Sequence, residues 1–147
     1  MPGSWVVFVF LGDSITAGYQ QGPGNLPPRY YPYTNMLEST IRMKLKEREA
    51  EKDVAIENMG MDGDSTSGMI NRFAMSVTPE KPEYVVIMGG LNDLFTRVPD
   101  DDVYRNLVQL TQLSREIGAE PIMLSTTPVA GAVDFNERIE ALNDRLA

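Results

Sequence analysis

A short apolar run ends in a serine near the N-terminus of this 147-residue chain, and this serine is the first candidate for chemistry. The segment Phe8–Leu11 has the apolar character of a buried strand, and Gly12, Asp13 and Ser14 follow it directly. A serine at a strand-to-helix turn places its hydroxyl beside backbone N–H groups that favour negative charge. That setting suits a nucleophile in acyl transfer. A serine nucleophile normally needs a neighbouring base, however, and the chain contains no histidine.

Two further polar segments also follow apolar runs. Gly63 comes shortly after the run Val54–Asn58, and Asn92 comes shortly after the run Tyr84–Met88. Ligands of open parallel sheets bind beyond the carboxyl ends of the strands, so we expect both segments to meet Ser14 at one edge. A tetrahedral intermediate of acyl transfer needs two or three donors at its developing oxyanion, and such an edge can supply them.

Short apolar runs alternate with longer amphipathic ones along the whole chain. Four short runs are mostly apolar on both faces, as parallel strands covered on both sides are: Trp5–Leu11, Val54–Asn58, Tyr84–Met88 and Pro121–Ser125. Apolar residues at helical spacing predict three amphipathic helices between and after these strands. The first has its apolar stripe on Leu37, Ile41 and Leu45, the second on Val103, Leu107, Leu110 and Ile117, and the third on Phe135, Ile139, Leu142 and Leu146. A shorter helix is predicted over Ser67–Ser76.

The helix ends also carry signals. Gly118 suits the end of the helix that precedes it. Asp134 is predicted as the N-cap of the last helix, and Glu137, three residues on, would complete a capping box. Gly22–Tyr33 is rich in Gly, Pro and aromatic residues and is predicted to be a loop, long enough either to help form a pocket or only to brace the chain.

This alternation predicts an α/β fold with one open parallel sheet, helices on both faces and right-handed crossovers. The length suits one domain over residues 1–147. The last predicted helix runs to Ala147, whereas a doubly wound fold usually continues into another strand. We therefore expect the fold to be one strand short.

Three of these segments together resemble sequence blocks of the SGNH, or GDSL, family of ester hydrolases. Gly12–Thr16 matches the first block, Asn58–Thr66 the second and Gly89–Asp93 the third, in order and at sensible separations. Tyr31-Pro32 also fits the aromatic–Pro step that often opens the first helix of that family. The resemblance implies a three-layer α/β/α sandwich similar to flavodoxin.

The resemblance also implies roles for individual residues. Ser14 would be the nucleophile, and its N–H, the N–H of Gly63 and the side-chain amide of Asn92 would form the oxyanion hole. Asp13 and Asp93 are expected to support the site by accepting hydrogen bonds from backbone N–H groups.

The fourth block of the family, an Asp-x-x-His that supplies the base, has no match. The region Asp134–Arg145 has the wrong form, so the chain offers no general base. We expect that the last strand and the C-terminal helix with this block are missing, and that a second polypeptide or a C-terminal fragment completes the sheet and the triad. The edge of the Pro121–Ser125 strand would then be exposed, and such an edge invites pairing.

Composition excludes several partners. A net charge of −8 argues against nucleic acid and anionic membranes. No cofactor and no metal are expected, because a zinc site without cysteine or histidine would have to be all carboxylate. No run approaches the roughly 20 apolar residues that span a bilayer, and no signal peptide is apparent. A soluble chain is expected, either cytoplasmic or mature secreted.

The leading interpretation is a serine ester hydrolase that cleaves carboxylic esters, thioesters or acetyl esters through an acyl-enzyme on Ser14. The alternative is a catalytically silent binding module of the same fold, or an inactive fragment. Gly-Asp-Ser alone could be a helix cap, and Asn-Asp after Gly-Gly could be a turn. A flavodoxin-like phosphate binder is disfavoured, because the chain is acidic and lacks a glycine-rich loop ending in lysine.

Overall fold

The computed structural model describes residues 4–147 and shows an α/β fold with a parallel sheet of four strands. Along the chain the strands and α-helices are β1 (Trp5–Gly12), α1 (Ser14–Ala17), β2 (Tyr19–Gln20), β3 (Arg29–Tyr30), α2 (Tyr33–Glu47), β4 (Asp53–Gly60), α3 (Thr66–Ser76), β5 (Tyr84–Ile87), α4 (Leu91–Phe95), α5 (Asp100–Glu116), β6 (Glu120–Met123) and α6 (Val133–Leu146). A 3-10 turn follows α3, and β2 pairs with β3 as a small antiparallel hairpin.

The main sheet has the strand order β4-β1-β5-β6, with every neighbouring pair parallel. Gly12 at the end of β1 lies opposite Gly60 at the end of β4, and Leu11 lies opposite Ile87 at the end of β5. The three strands that precede the candidate residues therefore end at one edge. The predicted fold class and the four predicted strands are confirmed, with strand ends that differ by one or two residues.

One face of the sheet, here the covered face, carries the core. Val9 and Leu11 of β1 and Val85 and Ile87 of β5 point to this face and are fully buried. Their partners are apolar side chains of helices α3, α5 and α6: Met69, Phe73, Leu107, Leu110, Ile139 and Leu142. The stripes predicted for α5 and α6 are the residues that cover this face.

On the opposite face, here the open face, α2 packs against β4. Beside this helix lies a groove of about 310 Å³. It is lined only by apolar and aromatic side chains, namely Phe8, Phe10, Tyr33, Leu37, Ile41, Ile56, Val86, Ile122 and Leu124. Ile122 remains 37% exposed. Among residues 4–147, β6 pairs only with β5, so it is an edge strand with its flank toward solvent.

The predicted cap of the last helix is wrong. The N-cap of α6 is Ala132, and Asp134 lies inside the first turn. The carbonyl of Ala132 accepts the first helical hydrogen bond, from the N–H of Asn136 at 2.9 Å, so the helix begins before Asp134. No side chain caps this helix, and the predicted capping box does not form. The Asp134 carboxylate still lies where the helix dipole favours negative charge.

The loop between β6 and α6 is fixed by two asparagine side chains. Asn143 accepts from the N–H of Thr126 at 2.8 Å and donates to its carbonyl at 3.0 Å. Asn136 makes the same pair of bonds with Val129, both at 2.7 Å. Each amide thus bonds the loop backbone as a neighbouring strand would, and α6 holds the loop near the carboxyl edge of the sheet.

The helix ends at Pro32 and Gly118 agree with the sequence signals. Pro32 is the N-cap of α2, as the aromatic–Pro step predicts. Gly118 follows the C-cap Ile117 of α5 and has a φ of 82°. Within residues 4–147, no helix has both the length and the apolar composition that a membrane crossing requires.

Candidate active site

Ser14 begins the short helix α1 directly after β1. Asp13 is the N-cap of this helix, and its carboxylate accepts from the N–H of Ile15 at 2.9 Å. Asp13 is buried, and the loss of solvation raises the pKa of its carboxyl above the ordinary 3.8. Ser14 itself is partly exposed. Because α1 has only four residues, its dipole is small, and stabilisation of an anion must come from individual N–H groups.

Gly63 lies in the loop that joins β4 to α3. Its φ is 72°, in the left-handed region that glycine adopts readily and other residues adopt at a cost. The same loop is tied to β1, because the N–H of Met61 donates to the carbonyl of Gly12 at 3.1 Å. At the far end of the loop, Ser65 caps α3 by accepting from the N–H of Gly68 at 3.0 Å. The loop that carries Gly63 is therefore anchored at both ends.

Asn92 lies in the short helix α4, after β5. One N–H of its side-chain amide donates to the carbonyl of Asp64 at 3.0 Å. Asp64 is the residue after Gly63, so this bond joins the second and third candidate segments directly. The amide has a second N–H, and a ligand at this edge could accept from it. The structure thus brings the loops of Ser14, Gly63 and Asn92 together, as the strand order predicts.

Asp93 is fully buried and holds the start of α3. Its carboxylate accepts from the N–H of Thr66 at 2.8 Å and from the hydroxyl of Thr66 at 2.5 Å. Asn106 of α5 also donates to that hydroxyl, at 3.0 Å. The expected backbone contact of Asp93 is therefore observed, and it links α4 to α3.

Sequence reasoning missed Arg72 and the carboxylate of Asp64. Arg72 donates its Nε to Asp64 at 2.7 Å, and its Nη2 donates to the carbonyls of Gly12 at 3.1 Å and Met59 at 2.8 Å. Both side chains are largely buried. The only signal in the sequence is that Arg72 is the one charged residue of α3. Two of its three partners are backbone carbonyls, which no residue pattern reveals.

The small β2–β3 hairpin lies against the same loop. The hydroxyl of Tyr30 donates to the carboxylate of Asp62, and this bond raises the pKa of the Tyr30 phenol. Tyr19 packs edge-on against Tyr30, with ring centroids 5.9 Å apart. The predicted loop Gly22–Tyr33 therefore contains a strand at Arg29–Tyr30, which places aromatic side chains beside the loop of Gly63.

This arrangement suits the stabilisation of an oxyanion next to a hydroxyl. Among residues 4–147, no side chain accepts a hydrogen bond from the Ser14 hydroxyl, and no three acidic side chains gather as metal ligands do. N–H groups placed beside a hydroxyl can bind and polarise a carbonyl group.

Known proteins resemble this chain in sequence and in fold. The model of the GDSL-like Lipase/Acylhydrolase family matches residues 10–147. The chain is 32% identical over 131 residues to the uncharacterized lipoprotein YqeF of Bacillus subtilis (strain 168), covering 82% of this chain and 48% of that protein. It is 27% identical over 114 residues to an arylesterase of Vibrio mimicus, covering 78% of this chain and 51% of that protein.

A solved structure shows the same fold. The lipase/acylhydrolase from Enterococcus faecalis superposes with a TM-score of 0.69 at 26% identity, over 96% of this chain and 70% of that one. The chain spans about half the length of the two curated relatives it matches. By the family model, the fold and the three segments at the carboxyl edge of the sheet, the chain belongs to the GDSL-like lipase/acylhydrolase family.

Proposed function

We propose that this domain is the acyl-binding and nucleophile-bearing part of a serine ester hydrolase. The observation that carries this is the convergence of Ser14, Gly63 and Asn92, through tied loops, at one edge of the sheet. The hydroxyl oxygen of Ser14 attacks the acyl carbon, and the alcohol or thiol leaves with a proton. Water then hydrolyses the acyl-serine and releases the acid. The N–H groups of Ser14 and Gly63 and the amide of Asn92 stabilise the oxyanion of each tetrahedral intermediate.

We further propose that the base, a histidine held by an aspartate, comes from a strand-and-helix segment outside these 147 residues. The crossovers β4–β5 and β5–β6 use the covered face, and α6 also packs there. By the right-handed rule, a strand after α6 would lie beside β6, at its free flank. A helix returning from that strand would cover the open face, where the apolar groove lies. The relatives are long enough to contain such a segment.

Carboxylic esters, thioesters and acetyl esters all fit the proposed chemistry, because the proposed donors contact only the acyl group. The name of the Vibrio relative favours an ester among them. The second candidate is a silent binding module with the same fold. It is favoured by the absence of histidine, because an unassisted serine loses most of its reactivity.

Covalent labelling with a fluorophosphonate, followed by intact mass, separates the two functions. Imidazole added to the buffer can act as the missing base, so we expect the labelling rate to rise with imidazole concentration. Ser14→Ala should abolish the label. Ser125→Ala is the matched control, because Ser125 is exposed and follows β6 rather than β1.

A single label per chain that depends on Ser14 and on imidazole supports the hydrolase. A label that persists in Ser14→Ala, or no label at any imidazole concentration, would contradict it and favour the binding module. Hydrolysis of p-nitrophenyl acetate, measured as the difference between the wild type and Ser14→Ala, tests turnover of the acyl-enzyme in the same samples.

A further inference from the structure

We propose that Arg72 is a positioning residue for the oxyanion hole. Its hydrogen bonds hold the chain segments of Ser14, Gly63 and Asn92 in fixed positions relative to one another. This inference rests on the proposed function for the role of those donors, although the geometry itself can be measured without catalysis. Arg72 does not touch the substrate in this proposal. It acts through the backbone that carries the donors.

The contacts of Arg72 reach two strands and the loop at once. Its Nη2 donates to the carbonyl of Gly12, two residues before Ser14, and to the carbonyl of Met59 in β4. Its Nε donates to the carboxylate of Asp64, the residue after Gly63. One planar guanidinium therefore joins the ends of β1 and β4 to the loop between β4 and α3.

The third donor is joined through Asp64. The backbone carbonyl of Asp64 accepts from the side-chain amide of Asn92, while its carboxylate accepts from Arg72. If Asp64 moved, the orientation of the Asn92 amide would change with it. Arg72 thus restrains Asn92 without contacting it.

The surroundings of Asp64 are built for this contact. Its side chain is 7% exposed and that of Arg72 is 15% exposed, so the pair is screened little by water. Gly68 of α3 leaves room for the carboxylate, since a Cβ there would lie 2.1 Å from its Oδ1. A helix normally prefers alanine to glycine at such a position. The absence of a side chain at Gly68 serves the Asp64–Arg72 pair.

Arg72→Lys separates geometry from charge. Lysine keeps the positive charge but has one nitrogen, so it cannot reproduce the fork that reaches Asp64 and both carbonyls. The matched control is Arg42→Lys. Arg42 also pairs with a carboxylate, Glu38 at 2.8 Å, and donates to a strand carbonyl, that of Val54 at 3.0 Å, at the other end of the sheet.

The experiment records two-dimensional 1H–15N spectra of the 147-residue chain. The signals followed are the backbone amides of Ser14 and Gly63 and the side-chain amide of Asn92. We expect Arg72→Lys to move or broaden all three signals and Arg42→Lys to leave them in place. Melting temperatures of both variants show whether general destabilisation accounts for the shifts.

Gly68→Ala provides a second variant in case Arg72→Lys does not fold. It displaces the Asp64 carboxylate while raising the helix propensity of α3, so we expect the Gly63 and Asn92 signals to move without loss of helix. Unchanged positions of the three signals in Arg72→Lys, or equal shifts in Arg42→Lys, would overturn the proposal.

The labelling rate with fluorophosphonate and imidazole is the second readout. We expect a lower rate in Arg72→Lys than in Arg42→Lys. If the wild type itself takes no label, the proposed function fails, while the spectra still decide whether Arg72 positions the three groups. The two failures are therefore distinguishable.

Discussion

The covered and open faces of the sheet differ in both packing and chemistry. On the covered face, Val85 and Ile87 lie fully buried under α3, α5 and α6, whereas on the open face Ile122 is partly exposed beside the groove. Two residues that bond to the candidate site, Arg72 and Thr66, belong to α3, which is a helix of the covered face. A helix of the covered face therefore contacts the loop of Gly63 and the end of β1. The open face carries the apolar groove, where the segment proposed to supply the base would pack.

The largest expected effect comes from comparing one residue type on the two faces. Ile87→Ala removes a fully buried side chain and should lower the free energy of unfolding by about 2–5 kcal/mol. Ile122→Ala, on the neighbouring strand and the other face, should cost less than about 1 kcal/mol. Urea denaturation of both variants measures the difference. Equal losses would mean that the open face is buried in solution, and a concentration-dependent midpoint would then identify a second copy as its cover.

An intermediate loss of stability is expected at Asp93, which bonds the start of α3 next to the candidate site. Asp93→Ala leaves the N–H of Thr66 buried without its acceptor, and we expect a loss of about 1–3 kcal/mol. Asp101→Ala removes an exposed ion pair with Arg145 and should cost about 1 kcal/mol or less. Denaturation gives the loss, and the imidazole-dependent labelling rate of Ser14 shows whether the site is affected. A labelling rate unchanged in Asp93→Ala would show that α3 and α4 hold the site independently of this contact.

The smallest effect concerns Asp13, which follows β1 and so lies between the two faces of the sheet. Burial raises the pKa of its carboxyl in the folded protein above 3.8, so its ionisation opposes folding at neutral pH. Asn caps a helix as well as Asp does, so Asp13→Asn should be the more stable protein at pH 7. This advantage should shrink as the pH falls through the folded pKa and vanish below 3.8. Urea midpoints across the acid range test this, and a variant less stable at pH 7 would show that the bond to Ile15 outweighs burial.

Much of the fold follows from local pattern, because strands and amphipathic helices depend on the residues within them. The runs around β1 and β5 are apolar on both sides, and the stripes of α5 and α6 match the buried residues. The cap at Asp134 was wrong because a helix start also depends on the preceding turn. That turn is held by the bonds between Asn136 and Val129, which helix-capping patterns do not indicate.

Some residues of the candidate site could also be predicted from local pattern, and others could not. Ser14, Gly63 and Asn92 could be predicted to meet, because each follows a strand and parallel strands end at one edge. Arg72 could not be predicted, since two of its partners are backbone carbonyls at the ends of strands β1 and β4. The strand that carries Tyr30 lies in the segment predicted as a loop, because a strand of two residues has no detectable periodicity.

The two asparagine amides that bond the loop between β6 and α6 have a consequence for assembly. Ordering a free backbone costs roughly 1–2 kcal/mol per residue, and a segment that docks must normally meet that cost for each loop it contacts. Here the backbone at Thr126 and Val129 already has its bonding partners in α6. A complementing segment would thus contact a loop that is already ordered. Its affinity would depend on the apolar contacts it makes in the groove, without an added entropic cost for ordering the loop. The same loop should resist proteases before any segment binds.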